Sequence, residues 1–121
     1  TFSDHWKDFT NTEPPAIRLR SKPSIESLRP YLCTNTVGWD LNVPDVFRAR
    51  QFIQELREFE TNGNFPNLSI ICLPNDHTSG TSANFPTPGA HVADNDLAFG
   101  QIVIITDHVF NGAGNTCGAL Q

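Results

Sequence analysis

The chain has 121 residues, a net charge of −5 and a sequence pI of about 5.1, which fits one small acidic domain. Its eight Lys and Arg residues are scattered, so it lacks the clustered positive charge that binding to nucleic acid or an anionic membrane requires. No apolar stretch approaches the ~18 residues needed to cross a bilayer, and the low charged fraction of 17% favours a secreted or periplasmic protein.

Residues 1–42 are predicted to form an irregular, proline-rich arm, because proline blocks helix interiors and central strands. The arm contains several large aromatic residues without an obvious local core: Phe2, Trp6, Phe9 and Trp39. We expect a partner or a second copy to cover them. The chain begins at Thr1 and contains no Met, so we also expect a processed or partial chain.

Residues 43–121 are predicted to form an α-β-α-β core within a single domain spanning 1–121. The first helix is expected over 43–60, with Asn42 as N-cap and Pro44 in the first turn. Its apolar residues recur every three or four positions, as on the buried face of a helix: Val46, Ala49, Phe52, Ile53, Leu56 and Phe59.

The other core elements are two short apolar runs, 68–73 and 102–105, separated by a helix. Continuous apolar runs of this length are typical of strands buried on both faces of a parallel sheet. The second helix is expected over 88–99, with Thr87 as N-cap and Gly100 as C-cap. Two parallel strands joined by a helix predict an α/β fold with a mostly parallel sheet.

Each apolar run leads into an Asp-His pair, Asp76-His77 and Asp107-His108. Carboxylate oxygen and imidazole nitrogen suit a divalent metal, Zn or Mn more than Mg or Ca. Because ligands bind at the carboxyl ends of parallel strands, the two pairs predict a shared metal site for phosphate-ester chemistry. The alternative for each pair is an Asp that caps a turn beside a surface His. No catalytic nucleophile is assigned, because no candidate Ser or Thr has a distinctive base beside it.

Other polar residues allow competing interpretations. Asp94 or Asp96 could hydrogen-bond the loop at 78–81 or form an exposed acidic turn, and His91 is expected to be partly buried without binding metal. The three cysteines have no C-x-x-C spacing. Cys72 is predicted to lie in the core. Cys33 and Cys117 could form a disulfide or remain free thiols, and their spacing does not decide between the two.

Three segments carry a resemblance to a known family: Leu73-Pro-Asn-Asp-His-Thr-Ser-Gly80, Phe85-Pro-Thr-Pro88 and Val92-Ala-Asp-Asn-Asp-Leu-Ala-Phe-Gly100. Together with Gly38-Trp-Asp-Leu41 and Phe59–Pro66, they make residues 29–103 resemble bacterial phosphoesterases of the alkaline phosphatase superfamily. The resemblance implies a three-layer α/β/α fold, divalent metal ions, a phosphate mono- or diester substrate, and Asp76 and His77 as ligands. It also implies a metal-activated Ser or Thr nucleophile.

The chain departs from that family in two ways. Family members are several times longer, with the nucleophile on an early strand, and no segment before residue 29 looks like that strand. Also, Gln101 leads almost directly into the run 102–105, where the family has a further helix and loop. We therefore expect a fragment or a compact relative of a metal-dependent phosphoesterase, which could associate with itself or with the missing part of the fold. The alternative is a non-catalytic, secreted, self-assembling structural module derived from it.

Overall fold

The computed structural model describes residues 21–112, apart from the side chains of His108 and of residues 110–112. This part of the chain forms two α-helices, α1 (Asp45–Asn62) and α2 (Pro88–Gly112), and two 3-10 helices, Glu26–Tyr31 and Pro74–His77. No residue in the described range belongs to a β-strand. The predicted three-layer α/β/α fold with a mostly parallel sheet is therefore wrong, because the described region is all-helical.

Helix α1 confirms the first predicted helix, displaced by two residues at each end. It begins after Pro44, which has extended ψ of 140° and no side chain that could cap the helix. Asn42 does not cap it, since its backbone and side-chain nitrogens both donate to Asp40 Oδ1 at 2.9 Å. Gly63 ends the helix with φ of 70°, a left-handed conformation that glycine adopts without steric cost.

Helix α2 replaces both the predicted helix 88–99 and the predicted strand 102–105. Its start agrees with the sequence pattern, because Ala90 N donates to Thr87 Oγ1 at 3.3 Å and the helix begins at Pro88. Gly100 does not end the helix but lies inside it, and helical backbone continues to Gly112. A four-residue apolar run fits a buried helix as well as a strand, and here the preceding helix extends through it.

The run 68–73 is not a strand in the described structure. Leu68 and Ile70 are 75% and 88% exposed, and Cys72, predicted in the core, is exposed. A strand needs neighbours to satisfy its backbone groups and cover its side chains, and no second strand exists among residues 21–112. Within the run 68–73, only Leu73 packs against the core, where it is partly buried.

The core lies where α1 and α2 pack against each other. Its buried apolar members are Val43, Val46, Phe47, Ala49, Ala98 and Ile102. Buried polar side chains adjoin this cluster at the N-terminal end of α1, and they position the candidate site. Within the described range, neither helix is both long enough and apolar enough to cross a membrane.

Candidate functional site

The predicted ligands Asp76 and His77 both lie on the 3-10 helix Pro74–His77. Their side chains are 57% and 61% exposed, and Asp76 Oδ1 lies 3.8 Å from His77 Nε2. Bonds to Zn²⁺ of about 2.0–2.2 Å place two donors of a tetrahedral site about 3.4 Å apart. The donor types suit a divalent ion, and a shift of a few tenths of an ångström in these exposed side chains would bring them to that separation.

Asn75 anchors this turn from inside the protein. It is fully buried, and its backbone nitrogen donates to Asp45 Oδ2 at 2.9 Å. Its side-chain Nδ2 donates to Asp94 Oδ2 at 2.7 Å and to Val43 O at 3.3 Å. The residue before the two candidate ligands is thus fixed to both helices, while the ligands themselves face solvent.

Asp94 on α2 caps α1 from 49 residues away. Its Oδ2 accepts a hydrogen bond from Asp45 N at 2.6 Å and its Oδ1 one from Val46 N at 3.4 Å. The first N–H groups of a helix have no partner within the helix, and a carboxylate there also faces the positive end of the helix dipole. Burial raises the pKa of Asp94, and these hydrogen bonds act in the opposite direction.

For Asp94, this arrangement agrees with neither interpretation given from the sequence, a hydrogen bond to the loop at 78–81 or an exposed acidic turn. Asp94 is buried and bonds Asn75 and α1 instead of the loop at 78–81, whereas Asp96 is exposed. The neighbouring Asn95 donates through Nδ2 to Asp45 Oδ2 and to Leu73 O, both at 2.9 Å. Two of the segments that carry the family resemblance, around Asn75 and around Asp94, thus contact each other.

Arg48 supplies the buried positive charge of this cluster. It is only 4% exposed, and its Nη1 lies 3.1 Å from Asp45 Oδ1. Burial lowers the pKa of Arg48, and the charge of Asp45 opposes that shift. The guanidinium also donates to several backbone carbonyls: Val37, Gly38, Asp40 and Val43.

Trp39 borders the turn on its exposed side. Its ring lies 4.7 Å from the His77 ring, centroid to centroid, with the planes inclined by 60°. The Trp39 side chain is nevertheless 63% exposed. An edge contact of this kind leaves most of the indole open to solvent.

The second Asp-His pair lies on α2 and not at the end of a strand. Asp107 is exposed and follows Asp94 by thirteen residues, or ~20 Å of helix axis. Among the described residues, no group of three or more His, Cys, Asp or Glu side chains could hold a metal. Asp107 therefore does not join Asp76 and His77 in one cluster. The His108 side chain is not among the side chains that the structure describes. Metal ligation by Asp107 and His108 therefore stays a prediction.

The structure also gives the surroundings of two further residues considered in the sequence analysis, a histidine and a cysteine. His91, expected to be partly buried, is fully buried on α2, with its ring 6.2 Å from the ring of Phe85. Cys33 is partly buried, and burial raises the pKa of its thiol to about 11, with a hydrogen bond to Glu55 adding to the shift. Cys117 lies outside the described residues, so its pairing with Cys33 stays undecided.

Sequence reasoning missed the buried polar cluster, defined here as Asp45, Arg48, Asn75, Asp94 and Asn95. A usable signal was the i, i+3 spacing of Asp45 and Arg48, which allows an ion pair on one helix face. Nothing local indicated that Asp94 would be the partner of α1.

Comparison of the chain with known proteins identified no related protein. No family model matches the chain, and no curated protein or solved structure is significantly similar to it. The likeness to phosphoesterases accordingly rests on the sequence segments given above.

Proposed function

We propose that this chain provides part of the metal site of a phosphoesterase, with Asp76 and His77 as ligands of one divalent ion. The observation that carries the proposal is the 3.8 Å separation of Asp76 Oδ1 and His77 Nε2, two exposed donors on an anchored turn. The resemblance of residues 29–103 to bacterial phosphoesterases supports the same assignment.

The mixed oxygen and nitrogen donors favour Zn or Mn over Mg or Ca. A bound ion would polarise a phosphoryl oxygen and stabilise the charge that develops during ester hydrolysis. The protein's own residues fix the donors: Asn75 holds the turn, Asp94 and Asp45 hold Asn75, and Arg48 balances their charge. Two protein ligands leave coordination positions open for the substrate.

A catalytic zinc site usually has three protein ligands, so we expect at least one more. Asp107 lies apart from this pair, so the further ligand would be a side chain from polypeptide that associates with this chain. Metal ligation by Asp107 and His108 stays a separate prediction. The nucleophile is unassigned. Secretion or a periplasmic location also stays a prediction.

Metal binding by point variants tests the ligand assignment. We expect His77→Ala and Asp76→Asn to weaken Zn²⁺ or Mn²⁺ binding, measured by isothermal titration calorimetry, by at least the ~10- to 100-fold that loss of a supporting residue costs in metal sites. Asp96→Asn, an exposed carboxylate on α2, is the matched control and should bind as the parent does. Parent-like affinity in His77→Ala would contradict the assignment.

A second candidate, a non-catalytic self-associating module, is favoured by a different observation. Leu68 and Ile70 in the extended segment and Phe99 and Ile104 on α2 are 61–88% exposed. In a self-associating module, these side chains would supply apolar contacts between copies. This function predicts a mass that rises with concentration in sedimentation experiments. A monomer that hydrolyses p-nitrophenyl phosphate would exclude it.

A further inference from the structure

The exposed face of Trp39 has no role in the metal site proposed above. Tryptophan side chains are usually well buried, yet this one is 63% exposed while its ring contacts His77. The contact places an open aromatic surface directly beside the donor pair of His77 and Asp76.

The backbone on both sides of Trp39 is held in place from the protein interior. Arg48 Nη2 donates to Gly38 O at 2.8 Å and to Asp40 O at 2.9 Å, so partly buried hydrogen bonds flank the tryptophan. Asp40 Oδ1 in turn accepts two hydrogen bonds from Asn42. The indole is therefore presented from an anchored loop, and a ligand that stacks on it does not have to order the backbone.

We propose that Trp39 binds the planar ring of the substrate, which makes the substrate class aryl or nucleoside phosphate esters. The inference rests on the proposed metal site, because the phosphate would lie at Asp76 and His77 and the ring beside it on the indole. Aromatic faces recognise planar rings through stacking, largely independent of the ring's hydrogen-bonding groups. Aryl groups and nucleobases share this property, and an alkyl ester lacks it.

Binding of three phosphorus ligands in the presence of Zn²⁺ tests the proposal by calorimetry. Phenylphosphonate represents aryl esters, AMP represents nucleotides, and methylphosphonate carries no ring. We expect one or both ring-bearing ligands to bind the parent protein about tenfold more tightly than methylphosphonate, which is the size of one good stacking contact. The ligand with the larger preference identifies which planar ring the protein takes.

Variants separate this role from a structural one. Trp39→Ala should remove the preference for rings and leave methylphosphonate affinity within about twofold, whereas Trp39→Phe should keep most of the preference. Tyr31→Ala, which removes another exposed aromatic ring, is the control and should change nothing.

Two results would overturn the inference: equal affinity of the parent for all three ligands, or an equal loss for all three in Trp39→Ala. Either can occur while His77→Ala still abolishes Zn²⁺ binding, in which case the metal site stands and only the ring-binding role fails. Conversely, unchanged Zn²⁺ affinity in His77→Ala removes the metal site itself.

Discussion

At the residue scale, Asp94 shows how one side chain links three parts of the structure. Its carboxylate is 3% exposed and accepts hydrogen bonds from Asp45 N, Val46 N and Asn75 Nδ2. Removal of a buried acceptor leaves each of its donors unsatisfied, at about 1–3 kcal/mol per group. The turn with the candidate ligands therefore depends on a residue that could not itself contact a substrate.

The titration of Asp94 predicts how stability depends on pH. Because burial raises its pKa above the ordinary value of 3.8, the folded chain binds more protons than the unfolded chain between those two pKa values. Its contribution to the free energy of unfolding is therefore fully present below about pH 3.8 and is lost as pH rises through the folded-state pKa. Denaturant unfolding between pH 3.5 and 7 measures this.

The comparison of two variants isolates that contribution. Asp94→Asn does not titrate and should lack the fall, whereas Asp96→Asn, at an exposed position, should retain it. If Asp94→Asn does not fold, carboxyl NMR of the parent protein supplies the pKa directly. A pKa at or below 3.8 would contradict the prediction.

At the scale of single elements, sequence patterns were informative only where the structure is locally determined. The spacing of apolar residues predicted α1 to within two residues, because a helix with one apolar face has a repeat that no strand shares. Residues Ile102–Ile105 have no such repeat, and α2 is apolar on several sides, with Ile102 buried and Ile104 exposed. Periodicity cannot identify a helix of that kind, and so the prediction of a strand was wrong.

The candidate site was predictable in a similarly limited way. Residue type predicted Asp76 and His77 as a donor pair, and the structure places the two donors 3.8 Å apart. Their role as metal ligands stays a prediction. The supporting Asn75 and Asp94 were not predictable, because their contact joins positions nineteen residues apart through side chains. Long-range hydrogen bonds leave no periodic trace in a sequence.

Glycine substitutions test where the two helices end. In the helix interior, Gly100→Ala should stabilise the protein by roughly 0.5–1 kcal/mol, since an added Cβ meets nothing within 4 Å. Gly63→Ala, at φ of +70°, should destabilise it by about 1 kcal/mol. Thermal unfolding measures both. A destabilised Gly100→Ala would indicate that residue 100 terminates the helix, as the sequence pattern had suggested.

At the scale of the whole molecule, the two described helices bury one apolar cluster and leave other apolar side chains exposed. Ile102 is 8% exposed, whereas Ile104, two residues along the same helix, is 72% exposed. The two positions therefore separate the effect of core packing from that of any association between chains.

Two alanine substitutions compare these surfaces. Ile102→Ala should cost about 2–5 kcal/mol, as expected for truncation of a buried aliphatic side chain, and Ile104→Ala should change stability by less than about 0.5 kcal/mol. Denaturant unfolding at low protein concentration gives both values. A cost for Ile104→Ala that grows with protein concentration would show that another copy covers this residue.

Because Asp94 on α2 caps α1, the two helices are held together without help from the segment that connects them. Residues 61–72 are exposed along their whole length, while the groups that hold the helices together lie on either side of this connection. Protease cleavage between Asn64 and Cys72 would therefore leave two pieces that remain bound and elute together under native conditions. Separately expressed halves should likewise reassemble, so the connection could be replaced or opened in a split protein.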